Sequence, residues 1–255
     1  MLIDSHCHLF MQPLSLDLDG VLARASEAGV GKVVVPAFDT ASWEDVALIS
    51  QRPGVYPALG LHPWKAEEGL EVSVLADRIA ECGAVAVGEV GLDGKAEPPG
   101  MEVQVPVLLK QLDLAMEMDL PVILHCRGAF QEMFSILSQD RYSGRLRGVL
   151  HAFTRGTEVA RRFIGLGMHL GFGGGVTRPR AVRARKSAVM VPIDRILLET
   201  DAPSIGMDGL EPEKVEPAHV SRVAAAVAEL RGSDTYELAL ATTSNAERLF
   251  GIDGG

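Results

Sequence analysis

Seven histidines occur in this 255-residue chain. Two of them, His6 and His8, stand two positions apart in the apolar run IDSHCHLF. Side chains at i and i+2 of a strand share a face, so both imidazoles can project to one side while Cys7 points to the other. The same device, a polar residue set into an apolar run, recurs at His62 in GLHPW, Glu89 in GEVGLD, His125 in PVILHCRGA, His151 in GVLHAFT and Asp201 in LLETDAP. Imidazole with carboxylate is a donor set for divalent metal. A lone histidine in an apolar segment is ordinarily a hydrogen-bonded structural residue, but His6, His8, His125 and His151 together would each need independent buried partners. Ligation answers all four at once. His6, His8, Glu89, His125, His151 and Asp201 offer more donors than one ion uses. A carboxylate such as Glu89 can bridge two cations, one activating water and the other polarising the scissile group. Hydrolysis is the chemistry this set suits.

Such residues need elements to carry them to one place. Short apolar, β-rich runs recur along the chain (MLIDSHCHLF, GKVVVPAFD, GVYPALGLHPW, GAVAVGEVGLD, LPVILHCRG, LRGVLHAFT, MHLGFGGGV, DRILLETDAP). Between them lie stretches whose apolar positions follow helical spacing, such as LDGVLARASEAGV, LEVSVLADRIAECG and VPVLLKQLDLAMEMD. Strand and helix alternating to the end predict an α/β fold: a TIM-like (β/α)8 barrel, one domain over residues 1–255, whose active site lies at the C-terminal ends of the strands. The candidate residues sit at those ends. A doubly wound open sheet is the rival architecture. SDTYELALATTSNAERLFG reads as a last helix capped by Ser233 and packed on the outside.

The formal net charge is −10, which disfavours polyanions at long range but not a local phosphate site whose carboxylates are neutralised by metal. Cys7, Cys82 and Cys126 form no CxxC pair, so neither a disulfide framework nor a cysteine zinc cluster is expected. The chain start lacks a basic and then apolar leader pattern, and no apolar run approaches 18 residues, the length a spanning helix needs. A cytoplasmic protein without membrane contact is the expectation.

In order, DSHCHL, GLHPW, GEVGLD, PVILHCRGA, GVLHAFT, LLETDAP and TTSNAERLFG resemble the motif set of TatD-like metal-dependent hydrolases, within the amidohydrolase superfamily, across nearly the whole chain. The resemblance implies a barrel with a binuclear site: His6, His8 and Asp201 on the first ion, Glu89 bridging, His125 and His151 on the second. It also implies action on DNA, as the family includes deoxyribonucleases of 3′ to 5′ exonuclease or endonuclease type, usually supplied with magnesium. Four imidazoles suit zinc or manganese better, so the expected cofactor is two divalent ions drawn from Mg, Mn or Zn. Four positions depart from the family pattern, at Gly94, Gly128, Ser204 and Glu216, and are expected to line the substrate rim.

The leading reading is therefore a deoxyribonuclease or phosphodiesterase hydrolysing DNA through a metal-activated water, with Asp201 taking the proton and His62 and Arg127 facing the substrate. The alternative is a binuclear hydrolase of a small ester, lactone or amide, since specificity lives in loops. A third is a metal-binding protein without turnover. Arg127, Arg155, Arg178 and Arg180 gathered on one rim would favour the phosphate path. Asp93 before Gly94 reads as a turn residue, and Asp4 as support for a ligand imidazole or a neighbouring amide. Cys7 and Cys126 are expected to face away from the site, and Gly173 to Gly175 to serve either a phosphate or strand curvature.

Overall fold

Apolar runs and amphipathic stretches alternate in the computed structural model, which describes residues 1–252, as the patterning requires. The order is β1 (Leu2–Asp4), α1 (Leu18–Glu27), β2 (Val30–Pro36), α2 (Ser42–Ile49), β3 (Val55–Leu59), α3 (Val72–Cys82), β4 (Ala86–Asp93), α4 (Met101–Glu117) and β5 (Val122–Arg127). There follow α5 (Phe130–Leu137), β6 (Gly148–Leu150), α6 (Thr157–Gly165), β7 (His169–Phe172), α7 (Val182–Met190), β8 (Ile196–Leu198), α8 (Val220–Arg231) and α9 (Thr235–Phe250). The strands lie side by side in chain order from β1 to β8, every pair parallel. Just past the ends of β1 and β8 the Ser5 amide donates to the Leu198 carbonyl at 3.0 Å, and Cys7 bridges Ala202. The sheet thus returns on itself as a TIM-like barrel, without the reversal of strand order that an open doubly wound sheet requires.

The barrel interior holds a layer of Ile3, Val34, Ala58, Ala86, Ile123, Val149 and Leu197, and α9 adds Ala246, Leu249 and Phe250 to that cluster. This differs from the expectation of a helix on the outside. Spacings of three and four residues put those side chains on one face, which plugs the N-terminal end of the barrel. Polar clamps fix the plug: Asn245 Nδ2 donates to the Ile193 and Ile196 carbonyls at 2.7 and 2.9 Å, and Lys32 Nζ reaches Glu247 Oε1 at 2.8 Å. The cap is Asp234 rather than Ser233. Its carboxylate accepts from the amides of Tyr236 and Glu237 at 2.8 and 3.1 Å, and its charge also suits the positive end of the helix.

With one end sealed, the polar strand ends collect at the other. There β4 and β5 pair with Gly91 opposite His125. Gly91 has φ +152°, and a Cβ there would overlap the His125 carbonyl. Only glycine permits this approach, which sets Glu89 of β4 beside His125 of β5.

Candidate active site

Glu89 is the centre of the cluster, buried at 2 % exposure. Its two oxygens face different partners. Oε2 lies 3.3 Å from His6 Nε2 and 3.6 Å from His8 Nε2, and Asp201 Oδ1 completes that side at 3.7 and 3.4 Å from the same two nitrogens. Oε1 lies 3.0 Å from His125 Nδ1, 2.8 Å from His151 Nε2 and 3.3 Å from His62 Nε2. All six expected metal ligands are therefore brought together, and His62, expected only at the substrate, joins them. Three overlapping donor groups meet here: His6, His8 and Asp201; His6, Glu89 and His151; His62, Glu89 and His125.

Hydrogen bonds on the far side of each ring decide which nitrogen keeps a lone pair. His8 Nδ1 contacts the Pro36 carbonyl at 3.1 Å, so it must donate, and a neutral ring leaves Nε2 bare toward Asp201 and Glu89. His125 Nε2 contacts Asp93 Oδ2 at 3.2 Å and donates there, leaving Nδ1 bare toward Glu89. His62 is the reverse. Its Nδ1 accepts the Trp64 amide at 3.2 Å, so a neutral ring carries its proton on Nε2 and offers a donor to Glu89 Oε1. Bare imidazole nitrogens aimed at carboxylate oxygens repel unless a proton or a cation lies between them. Asp201 Oδ1 is itself buried without a hydrogen-bond partner, as are His6 Nδ1 and His151 Nδ1. The donor set asks for positive charge.

Titration directions agree. Burial opposes ionisation of Glu89, but the imidazoles of His151, His62 and His6 outweigh it and hold the carboxyl well below the usual carboxylate range. Burial also disfavours charge on His151, yet Glu89 pushes that ring up to about 10. His6, buried and beside His151, falls to about 4.

Three acids behind the ligands were hidden in the sequence or only partly read. Asp93 does open the turn through Gly94, its carbonyl accepting the Ala96 amide at 3.3 Å, but it also ends β4 fully buried, and its carboxylate accepts from Trp64 Nε1 at 2.6 Å, Arg127 Nε at 2.8 Å, His125 Nε2 at 3.2 Å and the Lys95 amide at 2.8 Å. Those donors outweigh burial and keep its carboxyl far below the usual range. Period-two counting from Glu89 through Gly91 to Asp93 was the signal that could have found it. Asp4 takes the amide option, binding the His6 amide at 3.3 Å, the Thr200 amide at 2.9 Å and Thr200 Oγ1 at 2.6 Å, and so ties the segment of His6 to that of Asp201. Glu199 accepts the Ala152 amide next to His151, and burial raises its carboxyl to about 8.

A cavity of about 460 Å³ opens over Glu89, its lining including His8, Met11, Phe38, His62, Trp64, His125, Cys126, Arg127, His151, Asp201, Ser204 and Ile205. Cys126 thus does not face away as strand alternation suggested, but burial pushes its thiol up to about 12, so it stays protonated. Arg127 reaches the cavity, whereas Arg155, Arg178 and Arg180 do not line it. Arg155 lies over Phe130 instead, 5.1 Å from its ring centre. Of the four departures, Ser204 lines the cavity. Gly94 and Gly128 pack backbone to backbone, where a Cβ on Gly94 would lie 2.9 Å from the Gly128 carbonyl. Glu216 does not line the cavity and is paired with Arg24 at 2.8 Å. Gly173 and Gly174 make room for Glu199 and Gly206.

The chain is similar to known proteins over almost its whole length. A family model described as TatD related DNase matches residues 3–251. The chain is 39 % identical to an uncharacterized metal-dependent hydrolase of Escherichia coli, YjjV, over 98 % of each protein. The crystal structure of that TatD homologue superposes with a TM-score of 0.91 at 36 % identity, covering 99 % of this chain and 98 % of the other. A 3′-5′ ssDNA/RNA exonuclease, TatD of Citrobacter rodentium, is 32 % identical over 92 % of each chain.

Proposed function

Since the chain belongs to the TatD related DNase family, we propose that it is a divalent-metal-dependent hydrolase that cuts phosphodiester bonds at single-stranded DNA ends. The observation that carries this reading is the division of Glu89 between two donor sets, with Asp201 Oδ1 left bare beside one of them. One set is His6 Nε2, His8 Nε2, Asp201 Oδ1 and Glu89 Oε2; the other is His125 Nδ1, His151 Nε2 and Glu89 Oε1. Two ions fit these donors. When bound, divalent cations supply Lewis acidity, lowering the pKa of water and offsetting the charge that builds on the phosphate. The imidazole-rich sets favour zinc or manganese over magnesium.

The protein's own groups supply the rest. With Oδ1 given to the ion, the other carboxylate oxygen of Asp201 would accept the proton of the attacking water, as a positioned general base within hydrogen-bond reach. His62 Nε2–H is a donor in the cavity wall, suited to a phosphate oxygen and not to a metal. Arg127 spends only Nε on Asp93, and among the described residues its terminal nitrogens make no hydrogen bond, so they remain for a phosphate. The relative named a 3′-5′ ssDNA/RNA exonuclease supports a single-stranded nucleic acid substrate. The free cysteines, and the lack among the described residues of any helix long and apolar enough to cross a membrane, are compatible with work in the reducing cytoplasm.

The test is a 5′-labelled single-stranded oligonucleotide incubated with metal-reconstituted protein, beside a panel of small esters, lactones and amides. A ladder receding from the 3′ end, abolished in Glu89→Gln, is expected. Turnover of the small substrates with intact DNA would contradict the reading.

A further inference from the structure

Trp64 is out of keeping with its neighbours. His62, Glu89 and Asp93 around it are buried, yet the indole is 45 % exposed, at the mouth of the cavity. A side chain whose task was to shield the imidazoles from water would be covered itself. The ring is nevertheless fixed: its Nε1–H is bound to buried Asp93 at 2.6 Å, and His62 and Phe38 stand edge-on to it at 4.9 and 6.0 Å between ring centres. The Arg127 guanidinium lies 5.4 Å from the ring centre. An exposed aromatic held in one pose loses little freedom on binding, which is the property of a stacking platform.

Its place relative to the chemistry is equally specific. Asp93 Oδ2 accepts from Trp64, Arg127 and His125 together, so one carboxylate sets the indole, the guanidinium and a candidate metal ligand in a single frame. The indole centre is 6.1 Å from the His125 ring, within the span of one nucleotide. Every nucleobase has a π-face, so such a surface binds any base. We propose that Trp64 stacks the nucleobase of the terminal nucleotide while Arg127 holds the phosphate beside it; this rests on the nuclease reading of the same site.

The experiment compares single-stranded oligonucleotides whose 3′-terminal nucleotide carries or lacks its base. Removing the base should raise KM of the parent roughly five- to a hundredfold, the range of base–aromatic stacking. Trp64→Ala should lose about the same factor on the normal substrate and nothing further on the abasic one. Trp64→Phe keeps a ring but not the bond to Asp93, so it should retain the discrimination between the two substrates even where kcat falls. In metal-free parent protein, the normal oligonucleotide should quench Trp64 emission more than the abasic one; Trp43, the other tryptophan, is buried. If Trp64→Ala impairs both substrates equally, or Trp64→Phe loses discrimination as fully as Ala, the indole is only a brace for Asp93 and the proposal falls. If the parent cuts no oligonucleotide at all, the nuclease reading falls first and this inference with it.

Discussion

Asp201 leaves Oδ1 buried and unpaired, and Asp93 leaves nothing unpaired; the two acids therefore answer differently to loss of charge. Asp201→Asn preserves shape, so the variant should fold with the far-ultraviolet spectrum of the parent while metal-saturated turnover drops about a hundredfold or more, as for a lost general base. A folded variant with near-parent turnover would remove Asp201 from the chemistry. Asp93→Asn should instead act through His125, whose tautomer and ring orientation it sets. The expected signature is about 10- to 100-fold weaker metal affinity in a titration followed by calorimetry, as for other outer partners of metal-binding imidazoles. Unchanged affinity would leave Asp93 a purely structural acid. The cluster of candidate ligands was legible because each of those side chains interrupts an apolar run. Asp93 was not, because an Asp-Gly pair is also a turn signal and the four donors that converge on it come from distant parts of the chain.

At the level of elements, the barrel was legible because buried parallel strands must be apolar on both faces. The destination of α9 was not: its apolar face says that it packs, and only the small Ala58 and Ala86 layer inside the barrel says where. The same end of the molecule carries a pH response away from the site. His169 opens β7, and burial, with Arg195 and Arg248 nearby, lowers its ring to about 4. A folded pKa below the unfolded value means that the unfolded chain binds the proton more tightly. The stability from neutral His169 is thus full above the unfolded pKa near 6.5 and is lost as pH falls toward 4. His169→Gln should flatten that decline, with a difference in pH dependence of roughly 2 kcal/mol at most between pH 7 and pH 4.5. Parallel melting curves with equal slopes for parent and variant would show that His169 is not the group responsible.

For the whole molecule, a net charge of −10 and a phosphate substrate are compatible because repulsion is screened beyond about 10 Å at 0.1 M salt, while contacts in the cavity are not. Four arginines on the rim would have meant a steep loss of DNA binding in salt. With Arg127 the one arginine or lysine side chain lining the cavity among the described residues, the dependence should be shallow, with a log–log slope of about −1. A slope near −3 would reveal further phosphate contacts outside the cavity. Metal should also stabilise the fold, because ions that bind the native cluster and not the open chain shift unfolding by mass action. The claim on which all of this depends is that Glu89 divides the cluster into two cation sites. Elemental analysis of protein stripped with chelator, reconstituted with zinc or manganese and freed of excess ion tests it most directly. Two ions per chain are predicted for the parent and fewer for Glu89→Gln; one ion or less in the fully reconstituted parent would contradict it.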